Sequence, residues 1–85
     1  MQEELYKQAA AYHDQSVQTN PTLSSFRFFA ACAHALGGEL EAGRSLAQEG
    51  LAMEPEFRLR FFFELLQRGT AEKFAEGGRK LGLPD

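Results

Sequence analysis

The chain has 85 residues and a net charge of −3, with nine Lys and Arg against twelve Asp and Glu, which is the size of one small domain. This acidic balance argues against general binding to nucleic acid or to an anionic membrane surface, because both partners need a basic face. The chain has a single cysteine, and its first segment lacks the apolar core of a signal peptide, which together predict a cytoplasmic protein. Its longest apolar run covers only residues 28–33, which is too short to cross a membrane.

Helix-forming residues dominate the chain, and strand signals are almost absent, since Val occurs once and Ile never. Breaks at Asn20-Pro21, Gly37-Gly38, Glu54-Pro55 and Gly69-Thr70 divide the chain into five predicted helices. The predicted ranges are 3–18, 22–36, 39–53, 56–67 and 70–81. Five helices with short connections predict an all-α fold, a compact antiparallel helical stack in one domain.

The first two helices each show an apolar stripe. In the first, Leu5, Ala9, Tyr12 and Ser16 or Val17 recur at three- and four-residue steps, which predicts that this face packs on the following helices. In the second, Ser24 or Ser25 is the predicted N-cap. Its stripe consists of Phe26, Phe29, Ala30, Ala33 and Leu36.

The third helix contains small residues where a packing face is expected. Gly43 and Gly50 lie seven residues apart, with Ala47 between them. A glycine inside a helix costs roughly 0.5–1 kcal/mol relative to alanine. This helix should therefore be unstable unless packing against neighbouring helices stabilises it. We expect Ala30 and Gly43 to mark the closest approach of the second and third helices.

The fourth helix is rich in phenylalanine, and Pro55 suits its first turn. Phe57, Phe61 and Leu65 are expected on one side of it, with Phe62 beside them. Phe63 then points outward, and an exposed aromatic of this kind suggests a partner surface or self-association.

The last predicted helix begins with Thr70 as a candidate N-cap. Gly77-Gly78 is interpreted as an interruption of this helix, since glycine is a poor helix former. Nothing around these two glycines resembles a phosphate-binding loop.

An internal repeat connects the first three helices. Pro21 and Pro55 lie 34 residues apart, and a 34-residue period made of two helices is typical of the tetratricopeptide (TPR) repeat. The small and large positions of that consensus are filled by Phe26, Phe29, Ala30, Ala33, Gly43, Ala47, Gly50 and Pro55. The chain therefore resembles TPR proteins, with half a repeat at 4–21, a full repeat at 22–55 and a C-terminal cap at 56–85.

The segment 73–85, KFAEGGRKLGLPD, resembles the C-terminal end of bacterial TPR arrays. Such ends occur behind nucleotide-cyclase catalytic domains and winged-helix regulators. The resemblance implies a bacterial protein, and a chain that is either the last repeat and cap of a longer protein or a stand-alone relative of one.

In TPR proteins, the first helix of each pair lines a concave groove that receives peptides. By position, the resemblance assigns this role to Ser24, Arg27, Phe28, Ala31, His34 and Ala35. Arg27 could anchor an acidic segment or a terminal carboxylate of a protein or peptide partner. The alternative is an ordinary solvated helix face.

No pattern in the sequence predicts catalysis, a metal or a cofactor. His13 and His34 lie 21 residues apart without a third ligand at metal-binding spacing. Cys32 has no basic neighbour to activate it, which favours a small buried spacer. We therefore predict a protein that is not an enzyme.

Two functions remain open. The first is a protein–protein interaction module that binds a partner segment or a neighbouring domain. The second is a self-association unit, in which a two-fold dimer covers apolar ends that a short repeat array leaves open. Its predicted contacts are the first helix or Phe61, Phe62 and Phe63.

Overall fold

A computed structural model describes residues 2–85, and over that range it contains five α-helices, one 3-10 turn and no strand. The helices are α1 (Gln2–Thr19), α2 (Ser24–Leu36), α3 (Leu40–Met53), α4 (Phe62–Leu65) and α5 (Arg68–Lys80), with the 3-10 turn at Leu59–Phe61. This confirms the predicted all-α helical stack. Within the same range, no helix is both long enough and apolar enough to cross a membrane.

Helix α2 is the centre of the fold, because α1, α3 and α5 all pack against it. Small side chains allow three neighbours to approach one helix closely. The residues of α2 that are fully or almost fully buried are Phe28, Ala30, Ala31, Cys32, Ala33 and Ala35. Helices α2 and α3 are antiparallel, since Ser24 at the start of α2 donates a 2.6 Å hydrogen bond to Glu54 just after α3.

Two helices end in the same hydrogen-bonded cap. Gly38 after α2 and Gly82 after α5 have φ angles of 84° and 82°, a conformation that residues with side chains rarely adopt. The Glu39 N–H then donates to the His34 carbonyl at 2.8 Å, and the Leu83 N–H donates to the Gly78 carbonyl at 3.0 Å. These bonds complete Schellman caps and turn the chain sharply. The predicted break at Gly37-Gly38 is confirmed.

Gly43 of α3 lies against Ala31 of α2, one residue from the predicted contact with Ala30. A methyl group placed on Gly43 would lie 2.8 Å from the Ala31 carbonyl oxygen. One placed on Gly50 would lie 2.8 Å from the Phe28 ring. Neighbouring atoms thus clamp both glycines of α3, and the absence of side chains there permits the tight helix pair.

The predicted helix over 56–67 is wrong. Residues 59–61 form a 3-10 turn, and α4 covers only 62–65. Arg58 is extended, with φ −135° and ψ 143°, and the Leu59 N–H donates a 2.8 Å hydrogen bond to the Pro84 carbonyl. This bond to the chain end takes the place of a helical bond, so tertiary structure overrides the local helical pattern.

The non-helical start of this segment lets large rings enter the core. Phe57 stacks on Phe28 with ring centroids 3.7 Å apart, and Phe62 meets Phe74 of α5 edge to face. Phe61 is half-buried, whereas Leu65 is 64% exposed. Leu65 therefore does not share a buried face with Phe57, which corrects that prediction.

Three predicted details of helices α2 and α5 are also wrong. Neither Ser24 nor Ser25 is an N-cap, because α2 begins at Ser24 after Leu23 and no side chain caps it. Helix α5 begins at Arg68, so Thr70 lies inside its first turn. Gly77-Gly78 lies within the continuous helix α5 and is buried, because it packs directly against α2 and the 3-10 turn.

Helix α1 packs mainly through a different stripe from the one predicted, although Val17 belongs to both. Ala10 is buried, and Tyr6, His13 and Val17 are half-buried around it. The predicted packing residues Leu5 and Tyr12 are 62% and 67% exposed. Helix α1 contacts α2 on one side only, which leaves the opposite side to solvent.

Candidate interaction surfaces

Half of the predicted concave face is core. Phe28 and Ala31 have no exposed surface, and Ala35 has almost none. The Phe57 ring covers Phe28, while α3 lies against Ala31. These three residues offer no surface to a partner in this fold, which corrects their assignment to the groove.

The polar residues of the same face are engaged within the chain. The Arg27 guanidinium donates to the Pro21 carbonyl at 2.6 Å and to Glu49 at 3.1 Å, and its side chain is 16% exposed. Ser24 is bonded to Glu54. A carboxylate ligand would compete with Glu49 for the Arg27 guanidinium. Recognition of a partner by Arg27 therefore stays a prediction.

His34 lies between two carboxylates. Its Nε2 is 2.9 Å from Asp14 of α1, and its Nδ1 is 2.9 Å from Glu39 just before α3. Both contacts are hydrogen bonds only when the imidazole holds two protons. The carboxylates approach opposite ring nitrogens and therefore do not converge on one point. Accordingly, no group of His, Cys, Asp and Glu within residues 2–85 is arranged to hold a metal ion.

His13 is enclosed by aromatic rings. Its ring centroid lies 5.6 Å from Phe29 and 6.0 Å from Phe74, and its buried Nδ1 has no hydrogen-bond partner within the described part of the chain. Burial lowers the pKa of His13 below its usual 6.5, an effect that Asp14 opposes in part. The environment therefore favours the neutral ring.

This lowered pKa predicts a pH-dependent difference between the wild type and His13→Phe. Below about pH 6.5 the unfolded chain binds a proton at His13 more readily than the folded chain does. The free energy of unfolding therefore decreases as the pH falls through that range. Phenylalanine keeps the aromatic packing without the titration. The advantage of His13→Phe in free energy of unfolding should grow between neutral pH and about pH 5.5. Urea unfolding at several pH values measures it, and a constant difference would contradict this account.

Cys32 is buried as predicted for a packing residue. Burial raises the pKa of its thiol to about 12, so the thiol stays protonated at neutral pH. Because the thiolate is the nucleophilic form, Cys32 is not an activated nucleophile.

The exposed side of α1 forms the first candidate surface, which we call the α1 seam. Its members recur at alternating steps of three and four residues, all of them exposed and uncharged. They are Leu5, Gln8, Tyr12, Gln15 and Thr19.

The second candidate surface, which we call the cap ridge, consists of Phe63 and Leu65 on α4, which are two residues apart and therefore project on either side of Phe62. Phe63 is 43% exposed, as predicted, and Leu65 is the more exposed of the two. Phe62, which the sequence also assigned to self-association, is only 1% exposed. It belongs to the core, which corrects that assignment, while Phe61 remains half-buried behind the ridge.

Comparison of the chain with protein-family models, with curated proteins and with solved structures finds no match. The TPR resemblance consequently stays a prediction. A function for the chain must therefore be inferred from the physical features of the α1 seam and the cap ridge.

Proposed function

We propose that the chain is a protein–protein interaction module, a TPR-like helical scaffold that binds a partner segment or a neighbouring domain. The observation that supports this proposal most directly is the cap ridge. Phe63 and Leu65 are held on a short helix whose next residue inward, Phe62, is fixed in the aromatic core. Exposed apolar side chains on a rigid support suit a protein contact, because little conformational entropy is lost on binding.

The charges around the cap ridge indicate the chemistry of its partner. Residues 57–68 contain three Arg and one Glu, which gives this segment a net charge of +2 in a chain of net charge −3. Arg60 and Arg68 are exposed. The Arg68 Nε forms an ion pair with the Glu72 carboxylate, one helical turn on, at 3.1 Å. An apolar helix or strand with acidic flanking residues would complement this surface.

Selection from a displayed random peptide library tests the cap ridge. We expect enriched peptides to combine apolar anchors with Asp or Glu, and to bind Leu65→Ala and Phe63→Ala at least about tenfold more weakly than the wild type. Leu23→Ala is the matched control, because Leu23 is 48% exposed and lies outside the ridge. Peptides without acidic residues, or equal losses in the control, would contradict the proposed partner chemistry.

A second candidate function is self-association in a larger bacterial regulatory protein such as a nucleotide cyclase. The α1 seam favours it, since Leu5 and Tyr12 are among the most exposed large apolar side chains of the described residues. Molar mass across a concentration series separates this candidate from the first.

A further inference from the structure

We propose that the α1 seam pairs with the α1 seam of a second copy, with the two helices antiparallel across a two-fold axis. This inference rests on self-association, the second candidate function, and adds the surface and geometry that would perform it. It does not require a partner at the cap ridge.

The spacing of the seam is that of a helix-pairing stripe. Leu5, Tyr12 and Thr19 are seven residues apart, with Gln8 and Gln15 between them. This is a heptad pattern in which the first position is apolar twice, and it lies on the side of α1 that faces away from α2. Helix α1 thus has two stripes, one packed on α2 and one without a neighbour among residues 2–85.

The charge distribution suits a second copy better than an unrelated charged partner. The seam has no charged residue, so like-on-like pairing places no equal charges in contact. The charged residues of α1 lie to one side of it, at Glu3, Glu4, Lys7 and Asp14, and Asp14 is already held by His34. A neutral stripe offers no attraction to a strongly charged peptide.

The ends of α1 select the antiparallel arrangement. Glu3 and Glu4 occupy the first turn. A parallel pair would bring four carboxylates together at one end and align the two helix dipoles side by side. In the register that places Leu5 opposite Gln15, the antiparallel pair separates the carboxylates of the two copies by roughly 18–21 Å along the helix axis at 1.5 Å per residue.

In the antiparallel pair, each apolar residue meets a glutamine. Leu5 faces Gln15 of the second copy, and Tyr12 faces Gln8 of the second copy, so the two Tyr12 rings occupy adjacent central layers. Glutamine side chains contribute their methylene groups to the contact and keep their amides at its edge. One helix per copy makes a small interface, which predicts a weak dimer with a dissociation constant in the micromolar range or higher.

Sedimentation velocity of the full chain from micromolar to millimolar concentration tests the pairing. We expect a monomer–dimer equilibrium that Tyr12→Lys shifts at least about tenfold toward monomer. Leu40→Lys is the matched control on α3, since Leu40 is also an exposed apolar residue, and it should leave the equilibrium unchanged. Circular dichroism verifies that Tyr12→Lys, an exposed position, keeps its helices.

The other outcomes each reject a different statement. A chain that stays monomeric at millimolar concentration rejects self-association and the seam together, and leaves the cap ridge proposal intact. A dimer that Tyr12→Lys leaves unchanged and Phe63→Glu dissociates keeps self-association and rejects the seam. Growth beyond dimer indicates head-to-tail contact between different surfaces, which also rejects the two-fold pair.

Disulfide trapping tests the antiparallel geometry. Copies with Leu5→Cys mixed with copies carrying Gln15→Cys should form a mixed disulfide on mild oxidation. Gln15→Cys copies alone should not, because antiparallel pairing separates these two positions by roughly 15 Å along the helix, too far for a disulfide. Efficient trapping of Gln15→Cys with itself would overturn the antiparallel arrangement. Cys32 does not compete, since it is buried.

Discussion

Replacing Gly77 by alanine should lower the free energy of unfolding, although alanine is the better helix former. The added methyl group would lie 2.7 Å from the backbone oxygen of Cys32 and 3.0 Å from Leu36. A backbone oxygen cannot rotate away as a flexible side chain can, so α5 would have to move off α2. Overpacking of this kind typically costs about 1–3 kcal/mol, more than the ~1 kcal/mol that helix propensity returns.

Gly69→Ala in the same helix is the matched control. Gly69 is exposed, and nothing lies within 4 Å of a methyl group placed there. Its substitution should stabilise the protein by up to about 1 kcal/mol. Denaturant unfolding of both variants measures the two effects. Effects of the same sign would contradict the close packing of α5 on α2.

The largest loss should come from Phe28→Ala, which removes the ring stacked between Phe57 and Gly50. Truncation of a buried phenylalanine costs about 3–5 kcal/mol, and domains of this length have a total stability of roughly 4–13 kcal/mol at 0.05–0.15 kcal/mol per residue. We expect Phe28→Ala to be largely unfolded at moderate temperature. Thermal unfolding followed by circular dichroism measures it.

Phe63→Ala provides the comparison, because the Phe63 ring is partly exposed. It should change the free energy of unfolding by less than about 1 kcal/mol. The comparison also separates two roles for Phe28. A Phe28→Ala variant that stays fully folded and loses only partner binding would restore Phe28 to the concave groove and contradict its place in the core.

The fold class and the first three helices could be predicted from the sequence because local signals determine them. Breaks at Pro21 and Gly38 end α1 and α2, and the ends of α1, α2 and α3 all lie within two residues of the predicted positions. Residues 56–67 could not be predicted in this way. Their conformation depends on the Leu59–Pro84 hydrogen bond and on the Phe57–Phe28 stack, which join residues that are distant in sequence.

The candidate surfaces were harder to predict than the fold. Helix α1 has apolar residues on two stripes with the same spacing, one through Leu5 and Tyr12 and one through Tyr6 and Ala10. Periodicity alone cannot decide which stripe faces α2, because both satisfy it. Packing decides it, since the stripe of Tyr6 and Ala10 also contains His13, whose ring packs against Phe29 of α2 and Phe74 of α5. The exposed Phe63 could be predicted, because its neighbours already fill the inner positions of that segment.

The surface through which the chain associates can be located directly by NMR. Amide chemical shifts recorded during dilution of the full chain from millimolar concentration report that place residue by residue. Shift changes should be confined to α1 and strongest around Leu5 and Tyr12, with residues 24–36 of α2 unchanged. Changes concentrated on residues 24–36, with α1 unaffected, would contradict the closed core and return association to the face of α2.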